Sequence, residues 1–275
     1  MAILNACTPK EDPLNPSSEA KLIFKFKFDP TQERLNNLGL PSAMPAGNAG
    51  QSPVFNGMSA HYYELGNTAL TPLGKGAVLY WAPETSMGGS NAIDFTKCRI
   101  VKEGEVALEV PLSTIPKGTY EYLRVSLAYQ NYDIKFKFED QILNGTLASF
   151  IGFNTYVPSF KIKTKDLTVN SNKKQGFWAF ETIYSVNSGD AAGTTVPNPI
   201  ASTSPIPPGS CVVTAAFPKP LVITGSETKD MVVTMSLSVN NSFEWKDVIA
   251  DKQWEPLKGE SVVDMGIRGL KLTVN

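Results

Sequence analysis

Thr119-Tyr120-Glu121-Tyr122-Leu123-Arg124-Val125-Ser126-Leu127-Ala128-Tyr129-Gln130-Asn131-Tyr132-Asp133-Ile134-Lys135-Phe136-Lys137-Phe138 is the run whose reading decides the fold. Leu123, Val125, Leu127 and Tyr129 occupy odd positions, the period of two that marks a half-buried β-strand. The apolar set then moves to even positions: Tyr132, Ile134, Phe136 and Phe138. In a strand such a phase change would turn every later side chain to the other face unless the backbone kinks. The run is also several-fold longer than the usual strand of about 5–6 residues. A bulge or turn near Gln130-Asn131 is therefore expected, with two strands meeting there.

The same period recurs on both sides. In Lys21-Leu22-Ile23-Phe24-Lys25-Phe26-Lys27-Phe28 one face is Leu and Phe and the other mostly Lys. Met231, Val233, Met235, Leu237 and Val239 alternate with polar or smaller residues, and Leu270, Leu272 and Val274 repeat the pattern. Further strands are expected at His61 to Leu65, Gly76 to Trp81, Glu105 to Val110, Leu147 to Phe153, Phe160 to Lys163, Phe177 to Tyr184 and Val212 to Phe217. Helical pattern is scarce. Thr31 to Leu38 can form a short helix capped by Asp29, and Phe243 to Asp251 another, or a loop tip. Gly39 to Gly57 and Gly189 to Gly209 break the strand rhythm with Gly, Pro and Asn, as long functional loops do. The echo between residues 23–29 and 134–140 reads as two amphipathic strands with the same solution rather than a duplication.

The expected fold is all-β, an antiparallel β-sandwich with long Pro/Gly-rich loops and one or two short helices. Residues 1–20 read as an N-terminal tether and 21–275 as the sandwich domain, with two sandwiches split near 140–146 as the alternative. A chain of 275 residues can bury a substantial core. A net charge of −1 with scattered lysines gives no basic stripe to neutralise phosphates, so no nucleic-acid partner is expected. No apolar run approaches the ~18 residues needed to span a bilayer, so any membrane link would be covalent or peripheral.

Two segments resemble known families. Leu4-Asn5-Ala6-Cys7 followed by Thr8-Pro9-Lys10-Glu11-Asp12-Pro13 resembles the start of a Bacteroidetes-type surface-exposed lipoprotein, with Cys7 as the acylated residue. That resemblance implies a lipid-anchored protein at the outer membrane, cell surface or periplasm, although Asn5 departs from the usual small residue. The basic and apolar regions of a secretory peptide are also missing before Cys7. Pro116-Lys117-Gly118-Thr119-Tyr120 resembles the Pro-x-Gly-x-Tyr strand entry of transthyretin-like and other Ig-like bacterial surface domains, where the Tyr hydroxyl locks a corner.

Cys98 and Cys211 either form a disulfide in an oxidising compartment or pack as two buried free thiols. The single histidine, His61, is a weak metal candidate, and otherwise a strand residue with an ordinary hydrogen bond. The densest aromatic–acidic cluster is Phe243-Glu244-Trp245-Lys246-Asp247 with Asp251, Trp254 and Glu255. Trp245, Asp247 and Trp254, with Tyr62 and Trp81, are the expected ligand-binding residues, because sugar faces stack on indole while hydroxyls need acceptors. Against this, Trp245 and Trp254 can instead plug the end of a sandwich. Asp247, Asp251 and Glu255 would gather oxygen ligands for calcium if the segment were helical; no other cofactor is expected, since phosphate-cradling glycine motifs are absent.

The sequence points to a lipid-anchored binding or structural protein without catalytic residues, recognising a glycan or a surface protein. Three rivals stand beside it: a secreted hydrolase with an Asp/Glu pair, a metal-binding surface protein, and an adhesin or fimbria-like subunit pairing a strand with another chain.

Overall fold

The computed structural model describes residues 19–191, 202 and 211–275, so Cys7 and most of the stretch from Gly189 to Gly209 lie outside the described residues. Among the described residues the chain runs through eighteen strands, short 3-10 turns and no α-helix. The first seven strands are β1 (Lys21–Asp29), β2 (Asn48–Gln51), β3 (Val54–Gly66), β4 (Ala77–Trp81), β5 (Glu84–Thr85), β6 (Ala92–Asp94) and β7 (Val106–Pro111). The long β8 (Gly118–Phe138) follows, then β9 (Gln141–Phe150), β10 (Asn154–Lys161), β11 (Asp166–Lys174), β12 (Phe177–Glu181) and β13 (Val186–Asp190). The chain closes with β14 (Val212–Ile223), β15 (Met231–Ser238), β16 (Phe243–Lys246), β17 (Val262–Asp264) and β18 (Leu270–Val274). Every run picked out by alternation lies in or overlaps one of these strands.

β8 corrects the expectation of two strands meeting at Gln130-Asn131, because it is one strand of 21 residues. The phase change is a bulge at Ala128: β3 pairs Ser59 with Tyr129 and the next residue, Ala60, with Leu127. The extra residue puts Leu123, Val125 and Leu127 on the same side of the sheet as Tyr132, Ile134 and Phe136. Tyr129 instead faces the opposite side. The Ala128 carbonyl accepts the N–H groups of both Ile151 (2.9 Å) and Gly152 (3.0 Å), so the bulge leaves no stranded acceptor.

The bulge sits where β8 changes neighbours. One edge is held by β3 along most of its length; the other is held by β14 over Gly118 to Ser126 and by β9 over Tyr129 to Phe138. With β12, β13 and β4 these strands make a seven-stranded sheet. The four-stranded sheet β18-β15-β1-β7 covers the first half of β8, and the three-stranded sheet β17-β16-β2 covers the second half on the same side. The sheet β11-β10-β6-β5 covers the opposite face of that second half. Two pairings, β1 with β15 and β6 with β10, are parallel within an otherwise antiparallel arrangement. Residues 140–146 lie in the β8–β9 hairpin, which pairs from Phe138 with Gln141 to Tyr129 with Phe150, so a division there would cut through paired strands.

Both expected helices are absent. Asp29 does accept N–H bonds from Thr31 (2.8 Å) and Gln32 (3.0 Å), but the turn it caps leads into an irregular segment that bridges Leu35 to Pro41. Phe243 to Lys246 is β16 and the residues after it form a loop. The stretch from Gly39 to Gly57 carries β2 and the start of β3. Among the described residues no helix is long and apolar enough to cross a membrane.

Candidate functional site

The expected ligand-binding residues do not form one surface. Trp245 is 1% exposed and Trp254 9%, both in the core between β16 and the second half of β8. Trp254 meets Phe243, Phe180 and Phe136 edge-on, with ring centroids 4.9, 5.7 and 6.5 Å apart, and its indole N–H donates to the Glu260 carbonyl (3.1 Å). Those contacts satisfy the Trp254 indole, and burial to 1% exposure leaves Trp245 no face for a sugar. Tyr62 is buried on the opposite face of the sheet, while Trp81, 42% exposed on the edge strand β4, meets it edge-on at 5.1 Å. The Trp81 indole donates to Glu84 (2.8 Å). Asp247 lies in the loop after β16, where it accepts the Lys252 N–H (3.3 Å).

The calcium geometry fails with the helix. Asp251 and Glu255 close on the ammonium of Lys137 from β8, at 2.9 and 2.5 Å, and hydrogen bonds to both hold that ammonium above the usual lysine range. Among the described residues no three His, Cys, Asp or Glu side chains gather as a metal site. His61 lies at a second bulge, in β3, where its imidazole meets Phe153 (5.6 Å) while Tyr63 packs on Phe24 (5.5 Å). Burial pushes its pKa down to about 3, so it is neutral. Cys98 and Cys211 are separate free thiols, which corrects the disulfide reading. Cys98 follows the turn after β6, and Cys211 is buried in the core just before β14, its backbone bonded to Leu127 and Ile151.

The site that the geometry does offer lies at the far end of β8. An open cleft of about 630 Å³ is walled by seven aromatic rings: Phe136 and Phe138 of β8, Trp178 and Phe180 of β12, Tyr184, Phe243 and Trp254. Leu147, Ala191, Pro256, Leu257, Val262 and Met265 complete its apolar lining. Thr182, Ser185, Asn187 and Glu260 are its polar members. The volume falls within the roughly 300–1,000 Å³ of small-molecule sites.

Sequence builds each wall. β12 is buried on both faces, with Phe177 and Ala179 turned to β10 and Phe180 and Trp178 to the cleft. Two glycines admit the rings. A Cβ at Gly145 of β9 would collide with the Phe180 ring, and one at Gly189 of β13 would come 3.0 Å from the Trp178 ring. The turn between β12 and β13 is held by Thr182, whose hydroxyl accepts the N–H groups of Tyr184 (3.2 Å) and Ser185 (3.1 Å). Beneath it, Glu181 accepts N–H bonds from Lys163, Thr164 and Lys165 at 2.8–3.1 Å. Burial raises that carboxyl's pKa, but the Thr164 hydroxyl and the three N–H groups outweigh it and hold it at about 2.

The opposite wall, β16 and β17, is fixed by charges. Glu244 meets Arg34 (2.6 Å) and Arg268 (3.1 Å), and Arg268 also meets Asp264 (2.7 Å). Glu260 turns its carboxylate onto the N–H groups of Glu255 (2.7 Å) and Ile249 (3.2 Å), which ties down the loop carrying Trp254 and Leu257. At the mouth, Tyr184 is 65% and Leu257 72% exposed, so apolar surface continues to the rim.

Of the ligand-binding residues expected from sequence, only Trp254 lines this cleft. Trp178 and Tyr184 were missed, although Phe177-Trp178-Ala179-Phe180, apolar at four consecutive positions, signals a strand covered on both faces. Comparisons with protein-family models, with curated proteins and with solved structures found no match.

Proposed function

We propose that this chain is a surface-displayed binding protein whose aromatic cleft at the end of β8 takes a small ligand with a large apolar surface. The observation that carries this reading is the cleft itself: about 630 Å³ left open among seven rings. Leaving this much apolar surface in water is unfavourable by about 25 cal/mol per Å², a cost that a ligand would recover. A glycan is the weaker ligand class here. Its many hydroxyls need partners, and the cleft offers only Thr182, Ser185, Asn187 and Glu260. Hydrolysis by paired carboxylates lacks its pair, since Glu260 is the one acidic residue among the described residues of the lining. Strand exchange through β1 is disfavoured because β15 and β7 occupy both of its edges.

An anchor at Cys7 suits this reading. β1 starts at Lys21 on the side of Tyr63 and Val125, and runs toward Phe55 and Tyr132. The cleft lies beyond Tyr132, at Phe136 and Phe138, roughly 50 Å along β8 from Leu123 at the ~3.3 Å rise of a strand. The start of β1, where a tether from Cys7 would join, thus lies toward the end of β8 opposite the cleft. Titration with a neutral apolar fluorescent probe tests the binding reading. Wild-type protein should bind it at micromolar concentration and Trp178→Ala should bind about tenfold more weakly. Equal binding by both proteins, or none by either, would overturn it.

A further inference from the structure

The charge of the cleft carries the binding reading one step further, and the inference rests on that reading. Among the described residues the lining contains no Lys, Arg or His, and its one ionisable acid is Glu260, 3% exposed. Two nearby cations are engaged elsewhere. Lys137 is clamped by Asp251 and Glu255. Lys165 donates to the carbonyls of Thr182 (2.9 Å) and Ile183 (3.4 Å) behind the turn. Lys258 is exposed on the turn after Leu257 and does not line the cleft.

An anionic head group drawn into this space would lose its water and find no positive partner, with a carboxylate already present. An ammonium would meet the negative faces of aromatic rings, and an uncharged group would lose little. The amide of Asn187 and the hydroxyls of Thr182 and Ser185 suit a neutral polar end. We propose that the cleft is charge-selective: it takes uncharged or ammonium-bearing apolar ligands and rejects carboxylates, sulfates and phosphates.

The test is a matched series on the intact chain: hexanol, hexyltrimethylammonium and hexanoate, each competing against the neutral fluorescent probe. The alcohol and the ammonium should displace the probe at concentrations about tenfold or more below the carboxylate, the difference expected for an unpaired desolvated charge. Asn187 is exposed on β13, so Asn187→Lys should fold normally. That variant should bring hexanoate to within a few-fold of hexanol, as a nearby cation would; an unchanged gap between the two would overturn the charge selectivity. Hexanoate displacing the probe from wild-type protein as well as hexanol would overturn the charge selectivity while leaving the cleft a binding site. Probe bound by neither wild-type nor variant would overturn the cleft reading itself.

Discussion

The two halves of β8 are built alike and finished differently. Leu123, Val125 and Leu127 face the sheet β18-β15-β1-β7, and Phe24, Phe26, Val233 and Met235 fill the space between. Tyr132, Ile134 and Phe136 face β16 and β2 across a second core, where Trp245 and Phe243 are fully buried but the outer end stays open. The first covering sheet has four strands, the second only three. The short strands β16 and β17 and the loop between them, which carries Trp254, leave Phe138, Trp178 and Tyr184 without a facing strand among the described residues. One strand thus supplies a core whose cavity beside Phe26 and Tyr63 is about 190 Å³, and an aromatic wall along a cleft of about 630 Å³. Packing is nearly complete in protein interiors, so an end left open is the informative part.

Three changes would break or sharpen this contrast. The most severe is deletion of Ala128, the bulge residue that keeps both halves of β8 on one face. Removing it turns Tyr132, Ile134 and Phe136 away from β16. The native fold should be lost, seen as collapsed dispersion in a ¹H–¹⁵N spectrum, and a native-like spectrum would contradict the bulge. Next, Trp245→Ala should cost about 3–5 kcal/mol in denaturant unfolding, the loss typical of emptying a filled core site. A loss under about 1 kcal/mol would place Trp245 at a surface.

The smallest effect concerns His61. Its imidazole is neutral when folded, with a pKa near 3 against 6.5 for an ordinary histidine. Between those values the unfolded chain binds a proton that the folded chain does not. Stability is therefore intact above pH 6.5 and falls as pH drops toward 3, by on the order of 3 kcal/mol at pH 4.5. His61→Phe should flatten this part of the pH–stability profile, and an unchanged slope would contradict a buried neutral His61.

Much of the fold was legible in the sequence because period-two alternation reports burial directly, as at Lys21 to Phe28 and Met231 to Val239. The Tyr120 hydroxyl donates to the Pro116 carbonyl (2.7 Å), the corner that Pro116-Lys117-Gly118-Thr119-Tyr120 led us to expect. The bulge was misplaced by two residues because both faces of the second half of β8 are covered. Tyr129 is therefore as buried as Leu127, and polarity does not tell their faces apart. The Trp245 cluster misled for another reason. Glu244 suggests solvent, yet it is buried by Arg34, distant in sequence, and by Arg268. Such long-range pairing leaves no local signal. The cleft was missed because it is an absence of covering strand, which alternation does not record.

The four tryptophans supply the most direct test, since Trp178 and Trp254 line the cleft while Trp81 is exposed on β4 and Trp245 lies outside the lining. In a ¹⁵N-labelled sample titrated with hexanol, the indole N–H signals of Trp178 and Trp254 should shift together along one saturable curve, while that of Trp81 stays in place. Uniform small shifts of all four signals, or a saturable shift of Trp81 alone, would contradict the account of an open aromatic cleft at the end of β8.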